Sequence, residues 1–207
     1  MNKRGFFITF EGIDGSGKTI QSKLLFDYLT SKGIDVILTR EPGGTNGAEQ
    51  IRSIILTGSV NRWEPITESL LFLSSRSDHW LKKIKPALDN GKIVICDRFQ
   101  DSSVVYQGIC KGVDIKFLNY IYENVTNNRQ PDKTFLIDIE PNISISRSIA
   151  RENSETRFEK IDMSFHEKAR ESFLKIAKQN ERFTIIDGNK PIGKIREIIA
   201  QKTLDII

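Results

Sequence analysis

The chain has 207 residues, enough for one substantial hydrophobic core, so the default is a single domain over residues 1–207. Lys plus Arg is 31 against 27 for Asp plus Glu, a net charge of +4. The two signs are interspersed rather than gathered into a basic stripe, which argues against a nucleic-acid-binding module and suits an enzyme that handles polyanionic nucleotides. Cys96 and Cys110 are too few and too oddly placed for a disulfide framework or a zinc site, which points to a reducing cytosol. Met1 to Phe10 holds too short an apolar stretch for a signal peptide, and no run approaches the roughly 20 apolar residues of a membrane span.

Phe6 to Phe10 is an apolar, aromatic and β-branched run that reads as a buried strand. It leads into Gly12-Ile13-Asp14-Gly15-Ser16-Gly17-Lys18-Thr19, two glycines with four residues between them, then Lys and Thr. Leu24, Leu25, Tyr28 and Leu29 follow at helical spacing. Strand, glycine loop and helix are the context that a phosphate-binding loop requires. The glycines aim backbone N–H groups at one anion, and the helix adds the positive end of its dipole. Lys18 would reach the β- and γ-phosphates of a nucleotide, and the Thr19 hydroxyl would ligate Mg2+.

Gly33 reads as the end of the first helix, and Val36 to Thr39 as a second strand. Arg40-Glu41-Pro42-Gly43-Gly44-Thr45 is a polar turn. Helices are expected over Ala48 to Leu56 and Ile66 to Leu88, with Gly58 to Pro65 as a loop. In the second helix Leu70, Leu71, Leu73, Trp80, Leu81 and Ile84 are core candidates, and Pro86 is placed to kink its end. Lys92 to Cys96 reads as a third strand, with Cys96 buried. It ends at Asp97-Arg98-Phe99, where Asp97 resembles the acidic residue that helps hold magnesium in phosphate-loop enzymes.

Helical segments are expected from Ser102 to Gly108 and from Asp114 to Asn127. A strand over Lys133 to Ile139 follows, and then a helix from Pro141 to Arg151. Glu152 to Lys160 is dense in charge, and a lid of about 142–160 is expected there. Phe165 to Gln179 reads as helix, Phe183 to Ile186 as a fifth strand, and Pro191 to Ile207 as a helix with Pro191 in its first turn. His79 and His166 lack partners at catalytic spacing and are expected on the surface. Alternating strands and helices imply a phosphate-loop α/β fold: five parallel strands covered by helices on both faces, with a short mobile lid. The ligand then belongs at the carboxyl ends of the strands.

No Asn-Lys-x-Asp guanine-reading motif occurs, which argues against a GTPase. What is left is a small kinase, with a non-catalytic nucleotide-binding protein as the alternative. The order of motifs resembles the thymidylate kinase family. The matching pieces are Phe10-Glu11-Gly12 with Asp14, Thr39 to Thr45, Leu70-Leu71-Phe72 with Arg76, and Asp97-Arg98-Phe99. They continue with Ser102-Ser103, Tyr106-Gln107-Gly108, Pro131-Asp132 and Arg157-Phe158-Glu159. The resemblance implies transfer of the γ-phosphate of ATP to dTMP with Mg2+, by a homodimer; charge, cysteines and apolar runs give the expectation of a cytoplasmic protein that engages neither nucleic acid nor membrane. Another nucleoside or nucleotide kinase is the alternative within the same chemistry.

It also implies residue roles. Phe72 would stack on the thymine ring and Arg76, four residues on and on the same helix face, would hydrogen-bond a base carbonyl. From pattern alone, Phe72 as core and Arg76 as surface is the better reading, because Leu70-Leu71-Phe72-Leu73 looks like core; the resemblance reverses it. Arg98, and secondarily Arg40, would bind the acceptor phosphate; Ser103 would contact the base edge, Tyr106 the sugar, and Asp14 the sugar 3′-hydroxyl or a magnesium-bound water. Some family members carry an Arg directly after the Asp of the loop. Gly15 stands there in this chain, which resembles the subgroup that supplies the cation from the lid, with Arg151 first, Arg147 second and Arg157 third. The chain departs from the family at Phe99, at Ile109-Cys110-Lys111-Gly112 and at Thr156.

Overall fold

The computed structural model describes residues 4–149 and 162–207. Its centre is a five-stranded, all-parallel sheet in the order β2-β3-β1-β4-β5: β1 Phe6–Glu11, β2 Val36–Arg40, β3 Ile93–Asp97, β4 Lys133–Asp138 and β5 Phe183–Asp187. The strands match the sequence expectation to within one or two residues at either end.

Side chains alternate across the sheet. Ile8 and Phe10 of β1, Ile95 of β3 and Phe135 and Ile137 of β4 point to one face. There they meet Leu25 and Leu29 of α1 (Lys18–Ser31) and Ile195 and Ile199 of the last helix (Ile192–Leu204). Phe7, Val94 and Cys96 point to the other face and pack on Trp80, Ile84, Phe99 and Tyr122. Both faces are thereby covered, which is what near-continuous apolar strands require.

Between β2 and β3 lie α2 (Asn46–Leu56), α3 (Pro65–His79), a π-helical turn (Trp80–Ile84) and α4 (Lys85–Asp89). The Thr45 hydroxyl caps α2, so that helix begins two residues earlier than periodicity suggests. The break falls at the π turn, and Pro86 sits in the first turn of α4, where its missing N–H is harmless. Leu73, Trp80 and Ile84 are buried as expected, but Leu70 and Leu81 are exposed and Leu71 is half-buried.

After β3, α5 (Gln100–Ser103) runs into a second π-helical segment (Val104–Cys110), where one helix from Ser102 to Gly108 was expected. The remaining helices are α6 (Ile115–Thr126), α7 (Pro141–Ile149), α8 (Met163–Lys178) and α9 (Ile192–Leu204). Asp114 caps α6 and Asn127 ends it in the left-handed conformation. Pro191 precedes α9 rather than entering its first turn. Among the described residues no helix is long and apolar enough to cross a membrane.

The parallel register aligns the carboxyl ends: Arg40 and Phe10 both stand opposite Asp97. The phosphate loop, the turn after Arg40 and the Asp97-Arg98 pair therefore meet at one edge of the sheet.

Candidate active site

The loop from Gly12 to Gly17 joins β1 to α1. Lys18 folds back over it and donates from Nζ to the Ile13 carbonyl at 2.8 Å. Burial, then the neighbouring Arg98 charge, pulls the Lys18 ammonium down to about 8. Only the acidic groups around it, Asp14 first, hold it up. At Gly15 the backbone has φ +78°, and a Cβ there would run into the Ser144 carbonyl of α7. The Ser144 hydroxyl also donates to the Asp14 carbonyl, so α7 sits directly on the loop.

The Thr19 hydroxyl donates to Asp97 Oδ2 at 2.5 Å, while Asp97 Oδ1 is buried without a hydrogen-bond partner. A hydroxyl and a half-satisfied carboxylate, both hard oxygen donors, fit a magnesium ion whose other ligands are phosphate oxygens and water. Among the described residues no group of three or more His, Cys, Asp or Glu could hold a metal ion.

Arg98 leaves β3 in the left-handed region at φ 69°, a conformation that costs a non-glycine residue about 1–2 kcal/mol. Its backbone N–H donates to the Phe10 carbonyl at 2.9 Å, and its side chain is turned onto the loop. Nη1 donates to the Gly12 carbonyl at 2.9 Å and to Ser102 Oγ at 3.0 Å, and Nη2 to Asp14 at 2.6 Å. Burial works against the Arg98 charge, but Tyr106, Asp14, Asp97 and Glu11 outweigh it and raise its pKa. Burial likewise pushes Asp14 up, but Arg98 and Lys18 overcome it and bring the carboxyl down to about 2. The Tyr106 ring lies under the Arg98 guanidinium, 5.2 Å from it, and stacks on Phe165. Burial raises the Tyr106 hydroxyl above the usual phenol range.

The second half of the site hangs from α3. Arg76 is buried, contrary to the surface alternative; its Nε donates to Glu41 at 2.7 Å and its Nη1 to Gln100 at 2.6 Å. Phe72, one turn before it, is half-buried. Ser103 is buried on α5. Arg40 is exposed and pairs with Glu49 at 3.0 Å. Arg147 lies on α7, whereas Arg151 and Arg157 lie outside the described residues, as does most of the expected lid.

The expectation that His79 and His166 lie on the surface is wrong: both are buried, His79 completely. His79 contacts Thr39 and Glu41, and Glu41 also holds Arg76.

Sequence reasoning also missed the groups that hold the site residues. Glu11 is fully buried and accepts from the Phe99 N–H at 2.8 Å and Ser102 Oγ at 2.6 Å. Burial, then the Asp101 charge, pushes it up to about 7. Its signal was a carboxylate closing an apolar strand. Asp101 in turn pairs with Arg182 at 2.6 Å, and Arg170 of α8 holds Asp138 at 2.7 Å and Glu140 at 2.6 Å, beside the start of α7. These partners are far apart in sequence and leave no local pattern.

A phosphate loop on a parallel sheet, with Thr19 bonded to Asp97 and Arg98 turned onto the loop from the end of β3, is the arrangement of a phosphate-loop kinase of small acceptors. The family model for thymidylate kinase matches residues 10–199. A thymidylate kinase from Ruegeria pomeroyi is 44% identical over 99% of this chain and 97% of its own. One from Sulfurihydrogenibium is 46% identical over 95% of each chain. The crystal structure of thymidylate kinase from Ehrlichia chaffeensis superposes with a TM-score of 0.80 at 36% identity, covering 96% of this chain and 98% of the other. The chain belongs to the thymidylate kinase family and carries thymidylate kinase activity, an ATP:dTMP phosphotransferase reaction.

Proposed function

We propose that the residues gathered at the carboxyl edge of the sheet move the γ-phosphoryl group of ATP to dTMP, giving dTDP and ADP for dTTP synthesis. The observation that carries this reading is the placement of Arg98. A cation suited to the acceptor phosphate is bonded to Gly12 and Asp14 of the phosphate loop itself, so the two phosphates would meet there.

In this reading the backbone of Gly12, Ile13, Asp14, Gly15, Ser16 and Gly17 wraps the donor phosphates. Lys18 neutralises the transferring group. Its ammonium, held near 8 by burial, gains stability when an anion arrives. Thr19 and Asp97 would hold Mg2+, which when bound spreads charge over the β- and γ-oxygens. Phe72 stacks on thymine, Arg76 and Ser103 meet the base edge, Tyr106 packs on the sugar, and Asp14 faces its 3′-hydroxyl. Arg40 is a secondary phosphate contact. A lid of about 142–160 would close over the site and bring Arg151 or Arg147, with Arg157 third, to the charge that develops in transfer.

Ile66 and Leu70, four apart on α3, are both exposed. They offer an apolar face that a second copy would cover in a homodimer, which sedimentation would read. The partners are otherwise small molecules, with no nucleic acid or membrane, and the setting is cytoplasmic.

The test is ADP formation with dTMP, dUMP, dCMP, AMP and thymidine, then with alanine at 147, 151 and 157. dTMP should be the preferred acceptor. At least one variant, Arg151→Ala first, should lose about 10²-fold or more in kcat with a modest change in KM, and Lys should restore it only in part. ADP release with no monophosphate would mean a non-catalytic binding protein. Near-normal kcat in all three variants would remove the lid arginines from the mechanism.

A further inference from the structure

Arg76 does not stand alone in the protein interior. Its Nε is held by Glu41 Oε2, and Glu41 Oε1 is held in turn by His79 Nδ1 at 3.2 Å. The other ring nitrogen, Nε2, lies 2.6 Å from Thr39 Oγ1. All four side chains are buried, with Thr39 and Glu41 near the end of β2 and Arg76 and His79 one turn apart on α3. The backbone closes on the ring as well: a Cβ on Gly44, at φ +95°, would collide with His79.

An ionised carboxylate can only accept, so Nδ1 carries a proton toward Glu41. The imidazole thus fixes one oxygen of Glu41 and leaves the other aligned for the guanidinium. Gln100 takes Nη1 at 2.6 Å, so the Arg76 side chain is held from two sides. A long side chain with several rotatable bonds needs such a brace to present a hydrogen-bonding edge reproducibly.

We infer that His79 is a positioning residue for acceptor recognition: it orients Glu41, Glu41 orients Arg76, and the tightness of the thymidylate site depends on that chain. The inference rests on the reading of Arg76 as the group that meets the base.

The two amides that resemble imidazole separate its two contacts. Asparagine places an N–H near the Nδ1 position and can still hold Glu41. Glutamine reaches the Nε2 position and leaves Glu41 Oε1 without its donor. His79→Gln should raise KM for dTMP by about tenfold, with KM for ATP and kcat within about twofold, and His79→Asn should return KM to within about threefold of the parent. Thr39→Val, which removes the hydroxyl that holds the ring, should raise the same KM by about threefold, and decides alone if the histidine variants do not fold. The inference is overturned if KM for dTMP and for ATP rise together, or if Gln and Asn are equally impaired. It is also overturned if folded His79→Gln keeps normal KM while Arg76→Ala raises it by tenfold or more. Should Arg76→Ala itself leave KM for dTMP unchanged, the base-reading role of Arg76 fails, and the inference with it.

Discussion

The two halves of the site, proposed for the donor and the acceptor, are built in opposite ways. On the side proposed for the donor, one continuous stretch from Gly12 to Thr19 would supply the backbone amides, the cation and the hydroxyl, with Asp97, Arg98 and Ser144 bonded to it from elsewhere. On the side proposed for the acceptor, Arg76, Glu41, His79 and Gln100 form one hydrogen-bonded set and Arg98 and Ser102 another, drawn from the β2 and β3 ends, α3 and α5. A phosphate can be recognised by a short local device, because its charge and shape are always the same. A particular base and sugar need groups on several fixed elements, and those groups need partners when water is excluded. The first half is therefore tolerant of its surroundings, whereas the second is a property of the whole interior.

The sharpest test of that contrast is Lys18→Ala. It should lower kcat by about 10³-fold while circular dichroism and melting stay close to the parent, because the lost cation acts on transferring charge rather than on packing. A kcat near the parent value would mean that the loop is not where transfer occurs. The next largest effect concerns Glu11, whose carboxyl is raised by burial to about 7. The folded protein holds that proton more tightly than the unfolded chain does. Stability is therefore lost as pH rises from about 4.5 to about 7, by up to about 3 kcal/mol relative to Glu11→Gln, which stays neutral. Urea titrations of both proteins at pH 5, 6 and 7 would read this, and a constant difference would refute it. The smallest effect belongs to Tyr106. Tyr106→Ala should narrow the preference for dTMP over its ribose counterpart by about threefold to tenfold, while Tyr106→Phe, which keeps the ring against Phe165 and Phe173, should preserve it. An unchanged ratio in the alanine variant would take the ring out of the sugar site.

The same contrast decides what could be read from the chain. The strands, their parallel arrangement and the phosphate loop were legible because each is written in consecutive residues: an apolar run, a glycine turn, a helix. The inner face of α3 was not. Leu70, and Leu81 in the π turn that follows, look like core and are exposed, while Glu68, Ser75, Arg76 and His79 of α3 are buried. Those four residues recur at helical spacing, so a polar stripe was present in the sequence; a reading that follows hydrophobicity alone passes over it. The two π-helical segments were also missed, since a five-residue hydrogen-bond step has no distinct side-chain period at that length. Glu11 was visible as a motif letter, but its partners Phe99 and Ser102 are about 90 residues away, and nothing local announces them.

Gly15 is where the phosphate loop and α7 touch. The space that a side chain would fill there is taken by the carbonyl of Ser144, at the root of the segment expected to close over the substrates. Any side chain grafted at this position would have to lever α7 off the loop. The bare backbone at residue 15 is thus the seat on which α7 rests, and a larger residue there would be felt in how that helix lies over the phosphate loop.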